Sequence, residues 1–143
     1  MTLENVQLEV ARSFAQTREA HRTELAEDYV EVILELSEEH GEARLVDIAK
    51  RLGVAHPTVS KALKKLEQEG LVILKPYRAL KLTEEGEELA QRCRQRHKTV
   101  VAFLMALGVD PITAEIEAEG IEHHVGESTL SLMSAFAEKN RIR

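Results

Sequence analysis

The run Glu119-Gly120-Ile121-Glu122-His123-His124 puts two carboxylates and an imidazole within about one helical turn. Residues at i, i+3 and i+4 of a helix are neighbours, so Glu119, Glu122 and His123 point to the same side. Two like charges at that spacing repel by about 0.3 kcal/mol unless a cation sits between them. An oxygen-rich site with one or two imidazoles suits manganese, ferrous iron or zinc, and the lack of thiolate argues against a structural zinc or an iron–sulfur cluster. The same run also fits a solvated acidic helix face. What separates the two readings is whether distant segments supply further ligands. Asp28 and Glu31 are the first candidates: they are three residues apart on a predicted helix from Arg22 to Glu39, in which Leu25, Tyr29, Val32, Ile33 and Leu36 recur at helical spacing and Gly41 supplies the stop.

The elements between these two acidic segments have a different character. Leu45, Ile48, Ala49 and Leu52 follow the helical period, Gly53 to His56 breaks it, and Pro57 starts a second helix that keeps Val59, Leu63 and Leu66 inward and ends at Gly70. Pro57, Thr58, Ser60, Lys61, Lys64 and Lys65 are left on its outer side. Helix, short glycine-containing turn, helix is the DNA-reading unit whose second member enters the major groove. The period then switches to that of a strand over Leu71–Leu74 and Ala79–Leu82, with a turn around Pro76-Tyr77-Arg78. This hairpin is the wing of a winged helix-turn-helix, and its Lys75, Arg78 and Lys81 are suited to phosphates.

Charge follows the same division. From Lys50 to Lys81 eight basic residues stand against Glu67 and Glu69, a balance of +6, so the rest of a chain whose net charge is −6 carries −12. A basic module embedded in an acidic protein is the pattern of a DNA reader with a separate cation sensor. The 143 residues suffice for one modest core or two small ones. A single cysteine, Cys93, excludes an internal disulfide and fits a reducing cytoplasm. No basic leader precedes an apolar core and no apolar run approaches 18 residues, so neither export nor a membrane span is expected.

After the wing, Thr83 caps a long helix with an acidic first turn, Glu84 and Glu85, that stops at Gly108. Asp110-Pro111 opens the helix bearing Glu119, and an amphipathic helix over about Ser128 to Lys139 follows. Residues 4 to 20 have mixed periodicity and read as a short helix or an ordered arm. Met105 is expected in the core, as is Cys93, although the latter lies four residues before His97. His124 sits about a hundred degrees round the helix from His123 and suits a supporting role.

Glu27-Asp28-Tyr29-Val30-Glu31, the helix-turn-helix with its wing, Arg96-His97 and Glu119 to His124 together resemble the manganese-responsive transport regulators of the diphtheria-toxin-repressor family, in their short form without an SH3-like domain, over about residues 24 to 136. The resemblance implies a mainly α fold: an arm or helix over 1–20, a winged helix-turn-helix DNA-binding domain over 21–83, and an all-helical metal-binding and dimerisation domain over 84–143. It implies two Mn(II) ions per subunit. Glu31, His97 and Glu122 would hold one, with a backbone carbonyl near Glu119; Asp28, Glu119 and His123 would hold the other, with Glu31 and Glu122 bridging. Iron-responsive relatives carry methionine at the place of Asp28 and cysteine at the place of Glu119. The two hard oxygen donors found in this chain favour manganese.

These readings lead to a cytoplasmic homodimer that binds a palindromic double-stranded operator when loaded with manganese and represses metal-uptake genes, with no organic cofactor and no membrane partner. Iron- or zinc-responsive regulation is the alternative within the family. A winged-helix regulator answering to an organic ligand is a competitor outside it. A metal-dependent hydrolase is the alternative of another class, but Glu119 stands where the H-x-x-E-H zinc pattern needs a histidine.

Overall fold

The computed structural model describes residues 1–76 and 79–141, apart from the side chains of residues 19–22. Between Leu3 and His40 the chain contains neither glycine nor proline, and it forms one helix, α1 (Leu3–His40). The separate short helix or arm expected over 4–20 is therefore the continuous first part of α1. Residues 1–18 are exposed, so no buried face imposes a clean period on them. Gly41 ends the helix at φ 79°, its N–H donating to the Ser37 carbonyl at 2.9 Å.

The chain divides into two compact units, Leu25–Gln95 and Met1–Glu24 with Arg96–Arg143. In the first, Tyr29, Val32, Ile33 and Leu36 of α1 form a core with Ile48 and Ala49 of α2 (Leu45–Leu52) and Val59, Leu63 and Leu66 of α3 (His56–Gln68). Each fully buried aliphatic side chain of this kind stabilises the fold by about 2 kcal/mol. Gly53 makes the turn between α2 and α3 in the left-handed region, at φ 68°.

The wing is smaller than its pattern predicts. β1 (Val72–Ile73) pairs antiparallel with β2 (Lys81–Leu82), Val72 opposite Leu82 and Ile73 opposite Lys81. Beyond that ladder the Leu74 N–H donates to the Glu67 carboxylate at 3.0 Å, and Leu80 bridges to Ala43 instead of to the other strand. Thr83 ties the wing to the start of α4 (Glu84–Ala106): its hydroxyl donates to the Gly70 carbonyl at 2.6 Å and accepts from the Gly86 N–H at 3.0 Å. A Cβ on Gly86 would lie 2.1 Å from the Leu71 carbonyl oxygen, so only glycine fits that approach.

In the other unit, Val100 and Leu104 of α4 pack with Ala114 and Ala118 of α5 (Pro111–Ile121) and Leu130 of α6 (Glu127–Lys139). Phe103 and Phe136 meet edge to face, with ring centroids 5.5 Å apart. Asp110 caps α5, accepting from the Thr113 N–H at 3.0 Å. Met105 is not in the core: it is 40% exposed. It follows buried Leu104 by one residue, which turns it about 100° away from the inward stripe.

Candidate metal centre and nucleic-acid face

α5 ends at Ile121, one residue short of the second carboxylate of the cluster. Glu122 is the C-cap and keeps helical dihedrals (φ −58°, ψ −28°), its N–H donating to the Ala118 carbonyl at 3.0 Å. The helical spacing of Glu119 and Glu122 thus survives the end of the helix. Arg96 on α4 holds the turn that follows, donating through Nη2 to the carbonyl of Glu122 and, at 3.3 Å, to that of Val125. This anchoring brings the next residue of α4, His97, to the carboxylates.

His97 Nδ1 lies 2.7 Å from Glu122 Oε2 and 3.4 Å from Glu119 Oε1. One donor atom from each of His97, Glu119 and Glu122 falls within 4.8 Å of the others. Glu122 is wholly buried, whereas the Glu119 side chain is 58% exposed. A buried carboxylate requires a compensating cation or donor. Two carboxylate oxygens and an imidazole nitrogen at this spacing fit a divalent cation of intermediate hardness, so the donor chemistry suits manganese, ferrous iron or zinc. His123 is also buried, and its Nε2 is 3.4 Å from Glu122 Oε1. His124 is turned elsewhere, to Glu24 at 3.3 Å.

Glu115 does not stand out in the sequence. One turn before Glu119 on α5, it places Oε2 2.6 Å from His97 Nε2. The signal available was its i, i+4 spacing to Glu119, but nothing in the pattern said that a distant histidine would reach it. Burial pushes the His97 pKa down, yet the hydrogen bonds and charges of Glu115, Glu122 and Glu119 outweigh it and hold the value above the ordinary 6.5. Charged His97 therefore stabilises the metal-free fold at acid pH; the contribution is complete below the unfolded-state value and disappears as pH rises through the elevated one.

Asp28 and Glu31 lie on the part of α1 that belongs to the Leu25–Gln95 unit. They share a face of that helix, as their spacing predicts. Farther along α1, Glu38 pairs with Arg94, which holds the Glu38 carboxyl below its usual range. Glu35 and Glu39 take Arg51 at 3.2 and 3.0 Å. Arg51, counted among the basic residues of the window, is thus engaged with α1.

The DNA-facing expectation concerns the same unit. Pro57, Thr58, Lys61, Lys64 and Lys65 are exposed along α3, and Ser60 is half-buried. Their opposite face is the buried stripe Val59, Leu63 and Leu66. Lys75 and Lys81 are exposed on the wing, and Arg78 lies outside the described residues. Cys93 is a buried core residue, 1% exposed. Among the described residues no helix is long and apolar enough to cross a membrane.

Residues 21–80 match the family described as iron dependent repressor, N-terminal DNA binding domain, and residues 83–141 match iron dependent repressor, metal binding and dimerisation domain. A transcriptional regulator of Escherichia coli O157:H7 named MntR is 53% identical over 132 residues, covering 92% of this chain and 85% of that protein. An HTH-type regulator of the same name from Listeria monocytogenes serotype 4b (strain F2365) is 39% identical over 104 residues, 73% of each chain. The manganese regulator SloR superposes with a TM-score of 0.70 at 32% identity, over 79% of this chain and 53% of that one. A manganese-dependent transcriptional repressor in complex with manganese gives a TM-score of 0.72 at 30% identity, over 79% and 52%. The chain spans about half the length of these two solved chains.

Proposed function

The chain belongs to the iron-dependent repressor family, and from that premise we propose that it is a manganese-responsive transcriptional repressor, a homodimer that binds a palindromic operator when metal-loaded and represses metal-uptake genes. The observation that carries the metal half of the proposal is the convergence of His97, Glu119 and wholly buried Glu122 on one point. The nucleic-acid half is supported by the exposed Thr58, Lys61, Lys64 and Lys65 on a helix that follows a tight glycine turn. The proposed ligand set is Asp28, Glu31, His97, Glu119, Glu122 and His123, for two ions per subunit; the support for Asp28 and Glu31 is the family resemblance and their shared face of α1.

A divalent cation bound there supplies the positive charge that relieves repulsion among the carboxylates. Glu119 and Glu122 would bind it, and His97, held beside them, would add a nitrogen donor that moderates the hardness of the site. Direct neutralisation of charge contributes to DNA affinity only within about 8 Å of the phosphates, the screening length at physiological salt. The effect on DNA instead comes from fixing the spacing of two recognition helices, which have to fall about one turn of the duplex apart, or a multiple of it. Manganese is favoured over iron and zinc because position 119 offers a carboxylate, and position 28 another, in place of soft sulfur donors.

The test is a fluorescence-anisotropy titration of promoter DNA against Mn(II), Fe(II), Zn(II) and Co(II), with the intact protein. Half-maximal DNA binding at the lowest free concentration relative to intracellular availability is expected for manganese. DNA binding that responds to none of the four metals would favour an organic effector instead.

A further inference from the structure

The two nitrogens of His97 are both taken up by carboxylates, but by carboxylates of different character. Nδ1 faces Glu122 at 2.7 Å and Glu119 at 3.4 Å, the pair that forms the candidate metal cluster. Nε2 faces away from that pair and meets Glu115 alone, at 2.6 Å. Glu122 is fully buried while Glu115 is 61% exposed, so the ring spans from the interior of the site to its solvent edge. Glu115, Glu119 and Glu122 are at i, i+4 and i+7 of the α5 spacing and therefore follow one another along one face.

An imidazole that ligates a metal through one nitrogen carries its proton on the other, and the partner of that N–H fixes the tautomer, the ring orientation and the basicity of the ligating atom. Resting on the metal-site reading above, we propose that Glu115 is the positioning residue of this centre: its carboxylate accepts the Nε2–H of His97, which leaves the Nδ1 lone pair aimed between Glu119 and Glu122 as the metal ligand. Without Glu115 the ring is free to rotate about its side-chain torsions or to take the other tautomer, which puts the proton on the nitrogen that the metal needs. Glu115 itself does not ligate in this arrangement, because the ring stands between its carboxylate and the other two. A carboxylate at this place also adds negative charge at the rim of the site, where its exposure leaves most of that charge screened by solvent.

Two readouts test this. In intact protein labelled with ¹⁵N-histidine and loaded with ¹¹³Cd(II), a one-bond cadmium coupling is expected at His97 Nδ1 and a proton at Nε2; coupling at Nε2 would overturn the assignment. Equilibrium Mn(II) binding, measured by the free-ion electron paramagnetic resonance signal, is then compared across three variants. Glu115→Ala is expected to bind manganese about 10- to 100-fold more weakly. Glu115→Gln, which keeps an acceptor oxygen, is expected to recover most of that loss, and His97→Ala is expected to lose more than either. Glu115→Ala binding as tightly as the unmodified protein while His97→Ala is impaired would sink the role of Glu115 alone. Glu115→Gln as weak as Glu115→Ala, with both as weak as His97→Ala, would make Glu115 a ligand and overturn the positioning role. His97→Ala binding at full strength would instead sink the metal-site reading on which the proposal rests.

Discussion

α3 and α5 are nearly the same length and both bear residues proposed to act in binding, yet they hold them in opposite ways. On α3 the buried stripe Val59, Leu63 and Leu66 does the packing, and the residues proposed to meet DNA lie on the other side, nearly all exposed. On α5 the packing is done by Ala114 and Ala118, and the proposed metal ligand at its end, Glu122, is as deeply buried as those alanines. A face that works by touching a large external partner needs only to be presented. A face that has to gather a small cation needs other parts of the chain, and Arg96 and His97 on α4 supply them. On the proposed roles, function is therefore separable from stability on α3 and bound up with it on α5.

The largest effect is expected where that coupling is tightest. Glu122→Ala removes a buried carboxylate that faces His97, and should abolish metal-dependent DNA binding, with at least about a 100-fold loss of affinity at saturating Mn(II) by anisotropy. The apo protein should keep its helical content by circular dichroism but melt at a lower temperature, since the substitution takes away the buried partner of His97. Were Glu122→Ala to respond to manganese normally, the contrast between the two helices would collapse.

On α3 the effect should be smaller and of another kind. Lys61→Ala with Lys64→Ala is expected to weaken binding about tenfold across unrelated sequences and to lower the salt slope of log K by about one for each phosphate no longer neutralised, with thermal stability unchanged. A melting temperature that falls with the affinity would show that this face is not merely presented.

The smallest effect is one of pH. Protonated His97 cannot ligate, so manganese affinity should be flat above its elevated pKa and fall by up to about tenfold per unit below it, with the onset above the ordinary imidazole value of 6.5. Isothermal titration at stepped pH measures this directly. Onset below that value would mean that burial, not the surrounding carboxylates, governs the ring.

The same contrast explains what was legible in the sequence. Residues around Gly53 and Pro57 carry local instructions, a left-handed turn and a helix start, so the helix-turn-helix could be read from a short window. The wing was legible as a hairpin but not in its extent, because the Glu67 carboxylate takes the Leu74 N–H from a distance that no period reveals. The first part of α1 gave a blurred period because its residues are exposed and need no inward stripe. At the candidate metal centre, Glu119 and Glu122 stood out by spacing alone, whereas His97 entered through family resemblance and Glu115 not at all. Their meeting depends on how α4 packs against α5, through Val100, Leu104, Ala114 and Ala118.

If metal occupancy controls DNA binding, one pair of isotherms will show it. Anisotropy of a labelled promoter fragment would be measured with the same preparation of intact protein, once in chelator and once in saturating Mn(II), at equal ionic strength. An affinity at least about 100-fold higher with manganese is expected, the scale of a strong allosteric coupling. Equal affinities in the two conditions would contradict it.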